Sequence, residues 1–528
     1  MLGSRVLLSS ATLPPALISA LYDAYVAGRK HYNQANFPHN SNQGVVCAWF
    51  DENKSEVELI KNKEGFKQKN NTFIELRLKK LAANSKVLRK GKIVNIELPD
   101  TDNSDSTGQN IDEKNQQVYQ NVADSIHQQI HELHSQHHVT HSSGKKVSIG
   151  VVRMANINPM IAVAKILLAM SPRANYKFHF CIYHSQFPLA LRSYKEFRLD
   201  KTLTRYDEQA LWQQPEIANA LKADVLNKIS ADNHVFIVLG TSVVEVGRDH
   251  DYDWAIAEPS SLRSIIQLAG RIQRHRQVPP TTANLIVLNQ NIRALKGEQV
   301  AYCKPGFETP ELPLNSKDLN ELLTTELDNI SAMPRIVEPQ MSRGDFAKAP
   351  IGSHNRETAN AIKSFAIQEH RALRVTLDVI GGKKKDLFYN SDKPAALWWN
   401  ENSVIDWSAE FIHQTEFRKS QPQEEFILRL EEDEALTWSQ IDDTRYPPVY
   451  LEQSNRFIDE NQSIGLAQGN HWWFNLSVEE TYQIFADKLN ESLRQVSETF
   501  GVTGLREPRK DQELNWHWHE QLGVFDNK

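Results

Sequence analysis

The sequence predicts an α/β fold whose central part is a doubly wound parallel sheet. Apolar strand-like runs alternate with helix-like segments after Lys145, as crossover connections between parallel strands require. One such domain is predicted over 145–295. Its predicted strands are 146–153, 177–183, 234–239, 253–257 and 283–288, and its predicted helices are 158–170, 187–200, 207–229 and 261–275. The chain has 528 residues, which at roughly 150 residues per domain predicts further units on either side.

Residues 4–10 form a short apolar run that predicts a buried strand. Pro14 and Pro15 follow it and suit the first turn of a helix that extends to about Gly28. A strand this apolar is typical of a parallel sheet, in which both faces are covered. We therefore interpret residues 1–30 as the remnant of a first domain of the same class, with a sheet that is incomplete in this sequence.

The other segments are less regular. Residues 31–144 are rich in Asn, Asp, Ser and Lys and are interpreted as a polar insertion or linker with helices near 72–89 and 115–137. Residues 296–344 contain prolines at intervals and are expected to form a linker. Residues 345–528 are expected to form a mixed, mainly α accessory domain with a helix near 478–498.

Composition excludes several classes of protein. The net charge of −6 means that any nucleic-acid surface must be a local concentration of Arg and Lys. Cys47, Cys181 and Cys303 lack the paired spacing of a disulfide framework or a zinc ribbon and fit a reducing compartment. No apolar run reaches the roughly 20 residues of a spanning helix. A cytoplasmic protein without a membrane partner or a metal site is expected.

The segment 260–276 holds several arginines and no acidic residue. If it is helical, Gln267, Gly270, Arg271 and Arg274 share one face, because they lie three or four positions apart. Neighbouring cations are unfavourable unless an anion meets them, and a planar guanidinium suits phosphate oxygens. The face is interpreted as an arginine finger that neutralises charge on a transferred phosphate. A solvated basic helix face or a patch for an anionic partner is the alternative.

The segment 235–249 is an apolar strand that runs into a polar loop. Ligands of open α/β sheets bind at the carboxyl ends of the strands, where Gly240, Thr241, Gly247 and Asp249 would lie. Such a loop offers backbone amides and a hydroxyl to a phosphate. A plain connection with glycine at a tight turn is the alternative interpretation.

These segments resemble motifs of superfamily-two helicases. Residues 10–12, 240–249 and 267–274 look like motifs III, V and VI, in that order. Residues 150–158 and 183–188, followed by Arg192 and Glu196, resemble the region around motif IV in CRISPR-associated helicase-nucleases of type I systems. The amino-acid sequence of residues 5–15 and the long carboxy-terminal extension are most similar to the type I-F branch.

The resemblance implies a RecA-like second motor domain and assigns roles to single residues. Ser10, Ala11 and Thr12 would couple ATP hydrolysis to DNA movement. Arg271 and Arg274 would be the catalytic fingers. The residues expected near the nucleotide are Gly247, Asp249, Gln267 and Gly270, and those expected near the DNA backbone are Thr241, Arg153 and Asn156.

The sequence departs from that family in one respect. It contains no phosphate-binding loop and no nuclease motif, and the segment 143–146 reads as a basic turn before a strand. ATP and magnesium would therefore be bound only in a complete enzyme. His250 and Asp251 lack further histidines around them, so we do not interpret them as a nuclease site.

Two groups of aromatic and histidine residues remain. Segments 469–474 and 515–519 could stack on single-stranded bases or bind a metal, but core packing is favoured. Six histidines lie at near-helical spacing on one polar helix and are expected to form a solvated face rather than a metal site: His127, His131, His134, His137, His138 and His141.

The main hypothesis is the carboxy-terminal portion of an ATP-dependent DNA translocase in CRISPR interference, inactive alone. Its expected partners are single-stranded DNA, a CRISPR RNA-guided surveillance complex and an amino-terminal nuclease and motor region outside this sequence. Two alternatives stay open. One is a non-enzymatic module in which 345–528 binds DNA or the surveillance complex, and the other is half of an unrelated RNA helicase.

Overall fold

The computed structural model describes most of the chain, and the structural statements below concern these residues. They are 4–10, 12–37, 44–52, 54–83, 86–97, 111–226, 231–245, 247–323, 327–341, 362, 364–377, 423–433, 435–442, 444–446, 449–506 and 515–526.

The helices and strands over 145–295 alternate as predicted, and the elements of the first 300 residues are the following. The helices are α1 (Pro15–Asn36), α2 (Lys63–Ala83), α3 (Ile111–His137), α4 (Ile157–Ala169), α5 (Leu189–Leu203), α6 (Gln209–Trp212), α7 (Pro215–Leu226), α8 (Leu262–Ala269) and α9 (Ile292–Leu295). The strands are β1 (Val45–Phe50), β2 (Ser55–Ile60), β3 (Gly91–Val94), β4 (Val139–Thr140), β5 (Lys146–Arg153), β6 (Tyr176–Tyr183), β7 (Asn233–Gly240), β8 (Trp254–Ala257) and β9 (Leu285–Leu288).

The later residues contain more strands than helices. The helices are α10 (Leu319–Leu322), α11 (Met333–Ile336), α12 (Phe365–Leu377), α13 (Val478–Leu489) and α14 (Leu493–Phe500). The strands are β10 (Gln423–Leu430), β11 (Leu436–Asp442), β12 (Val449–Glu452), β13 (Phe457–Asp459), β14 (Asn470–Trp472), β15 (Val502–Arg506), β16 (Trp516–His519) and β17 (Gly523–Phe525).

The central sheet has eight strands, and seven of them run in the order β14-β6-β7-β5-β8-β9-β3. Every neighbouring pair along this path is parallel, and β4 adds to β5 in the antiparallel direction. Parallel strands need both faces covered. Helices α3 and α4 pack on one face, and α5, α7 and α8 pack on the other. The predicted doubly wound α/β fold is confirmed.

Segments far from 145–295 complete this sheet. Strand β3, from the segment expected to be a polar insertion, pairs with β9 at one edge. Strand β14, from the segment expected to be an accessory domain, pairs with β6 at the other edge. The Asn470 side chain donates to the carbonyl oxygens of Leu168 and Met170, both at 2.9 Å, at the end of α4. The domain limits given above stay predictions, but the sheet draws on residues from both flanks of 145–295.

The expectation of a mainly α accessory domain is wrong for the described residues. Strands β12, β11, β10 and β15 form one antiparallel sheet, and β13, β16 and β17 form a second sheet. Their core contains Trp438, Trp516 and Trp518 and extends onto Phe187 beside α5. The packing interpretation of segment 515–519 is confirmed, because these tryptophans are almost fully buried. The helix expected near 478–498 is divided into α13 and α14.

Two further expectations are wrong. Residues 4–10 form no strand and are exposed, with Leu7 at 81% exposure, because no described strand pairs with them. The helix predicted over 207–229 is divided into α6 and α7. Pro215 begins α7, and proline cannot supply the hydrogen bond that a continuous helix needs at that position.

The histidines of α3 are not a solvated face. His134 is fully buried, with Nδ1 2.8 Å from the Ser148 hydroxyl and Nε2 3.2 Å from the Asn233 side-chain oxygen. His131 is buried against Tyr176 and Phe178. The sequence pattern was misleading because histidine counts as a polar residue, whereas its imidazole ring can pack in a core like an aromatic side chain. Burial lowers the pKa of His131 to about 3 and that of His134 to about 4.

None of the helices in the described part of the chain combines the length and the hydropathy needed to cross a bilayer.

The buried imidazoles predict an acid-sensitive fold. The unfolded chain binds protons at these histidines near pH 6.5, whereas the folded chain resists protonation until the pH falls to their lowered pKa. Stability is therefore complete above about pH 6.5 and decreases below it, by about 1.4 kcal/mol per pH unit for each such histidine. Urea unfolding between about pH 7 and pH 5 measures the slope. His134→Gln should make the slope shallower, and an unchanged slope would contradict the assignment.

Candidate functional site

The carboxyl ends of three central strands lie side by side. The register places Arg153 at the end of β5 opposite Gly240 at the end of β7 and opposite Ala257 at the end of β8. Strand β5 lies between β7 and β8, and the sheet extends from these two strands to opposite sides. The carboxyl ends of these strands therefore form the topological switch point, where open α/β sheets bind ligands.

The 240–249 loop begins at a tightly packed position at the end of β7. A Cβ at Gly240 would lie 2.8 Å from the carbonyl oxygen of Tyr183, so only glycine fits there. Thr241 is buried at the base of the loop. Gly247 has a φ of +71°, which favours glycine, and a Cβ there would meet no atom within 4 Å. The loop is therefore anchored at its base and open at Gly247.

Arg153 is buried and its contacts are those of a structural residue. Its guanidinium forms an ion pair with Glu245, and both side chains are almost fully buried. It also donates to the carbonyl oxygen of Glu258 at 3.0 Å. Burial raises the pKa of Glu245 although Arg153 lies against it. This placement argues against the direct DNA contact expected for Arg153 and makes the side chain a support of the 240–249 loop.

The helix predicted over 261–275 is wrong beyond Ala269, where α8 ends. The Asp251 carboxylate accepts hydrogen bonds from the backbone N–H groups of Arg274 at 3.0 Å and of His275 and Arg276 at 3.3 Å. The Tyr252 N–H donates to the carbonyl oxygen of Arg271 at 2.8 Å. These contacts pull the chain out of the helix, so Gln267, Gly270, Arg271 and Arg274 do not form one helical face.

A buried ion-pair network fixes this turn. Arg276 donates to Asp251 from Nε at 2.9 Å and from Nη2 at 3.0 Å, and to Asp253 from Nη1 at 2.5 Å. Arg205, two residues after the end of α5, donates to the same Asp253 carboxylate at 2.9 Å. Both aspartates are fully buried, and such groups are stable only when paired and hydrogen-bonded.

Arg271 reaches back to the 240–249 loop. Its Nη2 donates to the carbonyl oxygen of Glu245 at 2.8 Å, and its Nη1 donates to the carbonyl oxygen of Arg248. These acceptors are neutral, and no ion pair of Arg271 occurs among the described residues. Burial lowers the pKa of Arg271. A cation placed in this way can still attract an anion.

Arg274 forms a more exposed contact. Its Nε lies 2.5 Å from the Asp249 carboxylate, and the two side chains are 42% and 50% exposed. Partial burial would raise the pKa of Asp249, but contacts with His275 and Arg274 outweigh it and hold this pKa at about 2. An exposed ion pair is worth only about 0–1 kcal/mol, so another anion can displace Asp249 from Arg274.

The remaining candidate residues are less sharply placed. Gln267 and Gly270 are half-buried near the end of α8. Asn156 is half-buried at the start of α4 and makes no side-chain capping bond. The Thr12 N–H donates to the Ser10 hydroxyl at 3.1 Å. Ala11 lies outside the described residues.

Sequence reasoning missed several residues that hold this site. Glu245 lies inside the motif-like segment 240–249 and Asp251 lies two residues beyond it, but neither was assigned a role. Arg205 and Arg89 lie far away in sequence, and Arg89 donates to the carbonyl oxygens of Ala269 and Ile272, both at 3.1 Å. An arginine outside the motifs carries no local signal of its partner. No group of three or more His, Cys, Asp and Glu within the described ranges could hold a metal ion.

Loss of the Arg153 guanidinium should destabilise the central sheet. Arg153→Met leaves Glu245 buried without its cation, which costs about 3–5 kcal/mol of unfolding free energy. The double variant Arg153→Met/Glu245→Gln removes both charges and should recover most of the loss. Chemical denaturation of the two variants measures the difference. If Arg153→Met were as stable as the parent chain, the buried ion pair would have no structural role.

Comparison with known proteins agrees with this architecture. Residues 146–277 match the family model of the CRISPR-associated nuclease/helicase Cas3, C-terminal. A CRISPR-associated nuclease/helicase Cas3 of subtype I-F/YPEST from Pectobacterium atrosepticum is 43% identical over 99% of this chain and 44% of its own length. Its counterpart from Pseudomonas aeruginosa is 34% identical over 99% of this chain and 44% of its own length. The chain thus spans less than half the length of these relatives.

Solved structures match more distantly. A crystal structure of a CRISPR-associated protein aligns over 98% of this chain and 49% of that chain, with 11% identity and a TM-score of 0.36. T. fusca Cas3 crystallised with AMPPNP aligns over 39% of this chain and 18% of that chain, with 13% identity and a TM-score of 0.23.

The sequence relatives align with 99% of the chain, and the family model covers strands β5 to β8 of the central sheet and the site at their carboxyl ends. The chain is therefore similar over almost all of its length to part of the CRISPR-associated nuclease/helicase Cas3 proteins of subtype I-F/YPEST, and its central region matches the C-terminal family model of Cas3.

Proposed function

We propose that this chain supplies the second motor domain and the accessory domain of an ATP-dependent DNA translocase in CRISPR interference. The first motor domain and the nuclease would come from residues outside this sequence. The observation that carries the proposal is the placement of Arg271 and Arg274 beside an open loop at the carboxyl edge of a parallel sheet.

The residues at this edge fit a phosphate group. Arg271 has a guanidinium without a carboxylate among the described residues, and Arg274 has an exposed one that a phosphate can attract. The open position of Gly247 leaves room beside them. We assign Gly247, Asp249, Gln267 and Gly270 to the surroundings of the nucleotide.

ATP with magnesium would supply the phosphoanhydride bond whose hydrolysis drives movement. This chain would place two guanidinium groups near the position where negative charge develops. The groups would meet that charge only when a second domain closes over the site. The Arg274–Asp249 contact keeps Arg274 at the site while that domain is open. No phosphate-binding loop occurs in the sequence, so this chain would contribute only one side of a nucleotide site.

The DNA and partner assignments extend the same proposal. Thr241 and Asn156 follow neighbouring strands at the carboxyl edge and are assigned to the DNA backbone. Ser10, Ala11 and Thr12 are assigned to the coupling of hydrolysis to movement. Single-stranded DNA and a CRISPR RNA-guided surveillance complex are the proposed partners. An unrelated RNA helicase is disfavoured by the match to a Cas3 relative over 99% of this chain, whereas a non-enzymatic binding module stays the alternative.

The isolated chain should not hydrolyse ATP. The phosphate cradle and the magnesium carboxylate of the first motor domain are missing from its sequence. A steady-state ATPase assay with and without single-stranded DNA measures this directly. Addition of the amino-terminal part of a subtype I-F relative should restore turnover. Turnover by the isolated chain that Arg271→Ala abolishes would contradict the proposal, and failure of complementation would favour the non-enzymatic module.

In a protein that contains both motor domains, Arg274→Ala and Arg271→Ala should lower kcat far more than they raise KM for ATP. A finger arginine meets charge that develops only in the transition state and contributes about 10³-fold or more to kcat. Lysine should rescue poorly because it lacks the planar fork. Arg274 gives the cleaner result, since Arg271 also holds the loop carbonyls.

The matched control is Arg445→Ala, an arginine of the accessory domain with 67% side-chain exposure. Its kcat should equal that of the unmodified protein. Unchanged kcat in both Arg271→Ala and Arg274→Ala would show that these residues are a solvated basic surface instead.

A further inference from the structure

The amino-terminal end of α8 is held by a carboxylate from a distant helix. Ser261 caps α8 by accepting from the Ser264 N–H at 3.2 Å. The Glu369 carboxylate of α12 accepts from the N–H of the preceding residue, Arg263, at 2.9 Å. The first N–H groups of a helix have no partner within the helix, and a carboxylate is well suited to them.

Glu369 is itself fixed in a buried environment. It is 1% exposed and forms an ion pair with Arg335 of α11, which is 4% exposed. Burial raises the pKa of Glu369, and the Arg335 guanidinium opposes this effect. The carboxylate therefore joins two partners, a helix terminus on one side and a guanidinium on the other.

The neighbours of Glu369 hold α12 in place. The Gln368 side chain donates to the carbonyl oxygens of Phe307 at 3.1 Å and of Leu312 at 2.6 Å. His370 Nε2 lies 2.9 Å from the carbonyl oxygen of Pro334. Helix α12 also packs against α1, which follows the segment that contains Ser10 and Thr12. One helix thus contacts both α1 and α8.

Because α8 is short, the position of its first turn affects the position of its carboxyl end. It runs only from Leu262 to Ala269, and Arg271 follows two residues later. A helix of this length has little stability of its own and depends on tertiary contacts. The position of its first turn therefore contributes, together with the Asp251 contacts of 274–276, to the placement of Arg271 and Arg274.

We propose that Glu369 is a positioning residue that sets the placement of Arg271 and Arg274 through α8, and that α12 ties this placement to α1. The proposal rests on the proposed function for its effect on catalysis. Glu369 does not reach the nucleotide site and acts only through the helix terminus that it holds. Through α12, a movement of the segment around Ser10 and Thr12 is passed to the finger arginines.

The experiment separates the helix cap from the buried ion pair. Glu369→Gln/Arg335→Met removes both charges and keeps an oxygen that accepts from the Arg263 N–H. Glu369→Ala/Arg335→Met removes the charges and the acceptor. Glu369→Asp is the third variant, which keeps the charge but withdraws the carboxylate by one methylene. Each variant is first tested for cooperative unfolding, and Glu369→Asp decides the question if either double variant does not fold.

Amide hydrogen exchange of the 528-residue chain, measured without nucleotide, is the first readout. We expect Glu369→Ala/Arg335→Met and Glu369→Asp to accelerate exchange in 262–276 by about tenfold, the effect of losing one charge-assisted hydrogen bond. Glu369→Gln/Arg335→Met should leave that segment protected. Equal exchange in 262–276 for all variants that fold would overturn the proposal.

The second readout is ATP turnover in a protein with both motor domains. Variants without the acceptor should lower kcat with little change in KM for ATP, and Glu369→Gln/Arg335→Met should retain kcat. A merely structural role would lower the melting temperature and leave kcat of the folded fraction unchanged, which would overturn the proposal. If the unmodified protein shows no ATP turnover, the proposed function fails, and the exchange measurement still decides whether Glu369 holds α8.

Discussion

The buried carboxylate of Asp251 is the constraint on which the geometry of the site depends. It accepts three consecutive backbone N–H groups and two guanidinium donors of Arg276. A carboxylate without water must be satisfied in this way, since an unpaired buried charge costs several kcal/mol. The chain after α8 is therefore drawn onto the segment 251–253 before β8 and cannot continue as a helix. Arg271 then points to the loop after β7, and Arg274 points to Asp249 at the surface.

Asp251 belongs to a wider arrangement of buried ion pairs around the sheet edge. Arg276 and Arg205 meet at Asp253, and Arg153 meets Glu245 below the 240–249 loop. Each pair joins segments that are far apart in sequence. Such pairs add little net stability compared with apolar packing, but breaking one is costly. They specify one arrangement of the loop and the turn, which a site that places two guanidinium groups requires.

The central sheet and the accessory strands form a continuous structure. Strand β14 extends the sheet beyond β6, and buried Lys195 donates to the carbonyl oxygens of Ile182 at 3.3 Å and of Gln521 at 3.2 Å. Burial lowers the pKa of Lys195 to about 8. His184 Nε2 lies 2.6 Å from the carbonyl oxygen of Leu522. The accessory strands therefore cover an edge and a face that the sheet would otherwise expose to water.

The sequence alone determined the alternation of apolar strands and helices, the parallel sheet and the order of the motif-like segments. These properties follow from local periodicity, and β5 to β9 agree with the predicted strands. The sequence did not determine that α8 ends at Ala269, that His134 is buried or that β3 and β14 complete the sheet. Each of these depends on a partner distant in sequence: Asp251 for the turn, Ser148 and Asn233 for the imidazole, and β9 and β6 for the edge strands. Only the tertiary structure brings such partners together, because pairing between separate elements leaves no periodic signal in the chain.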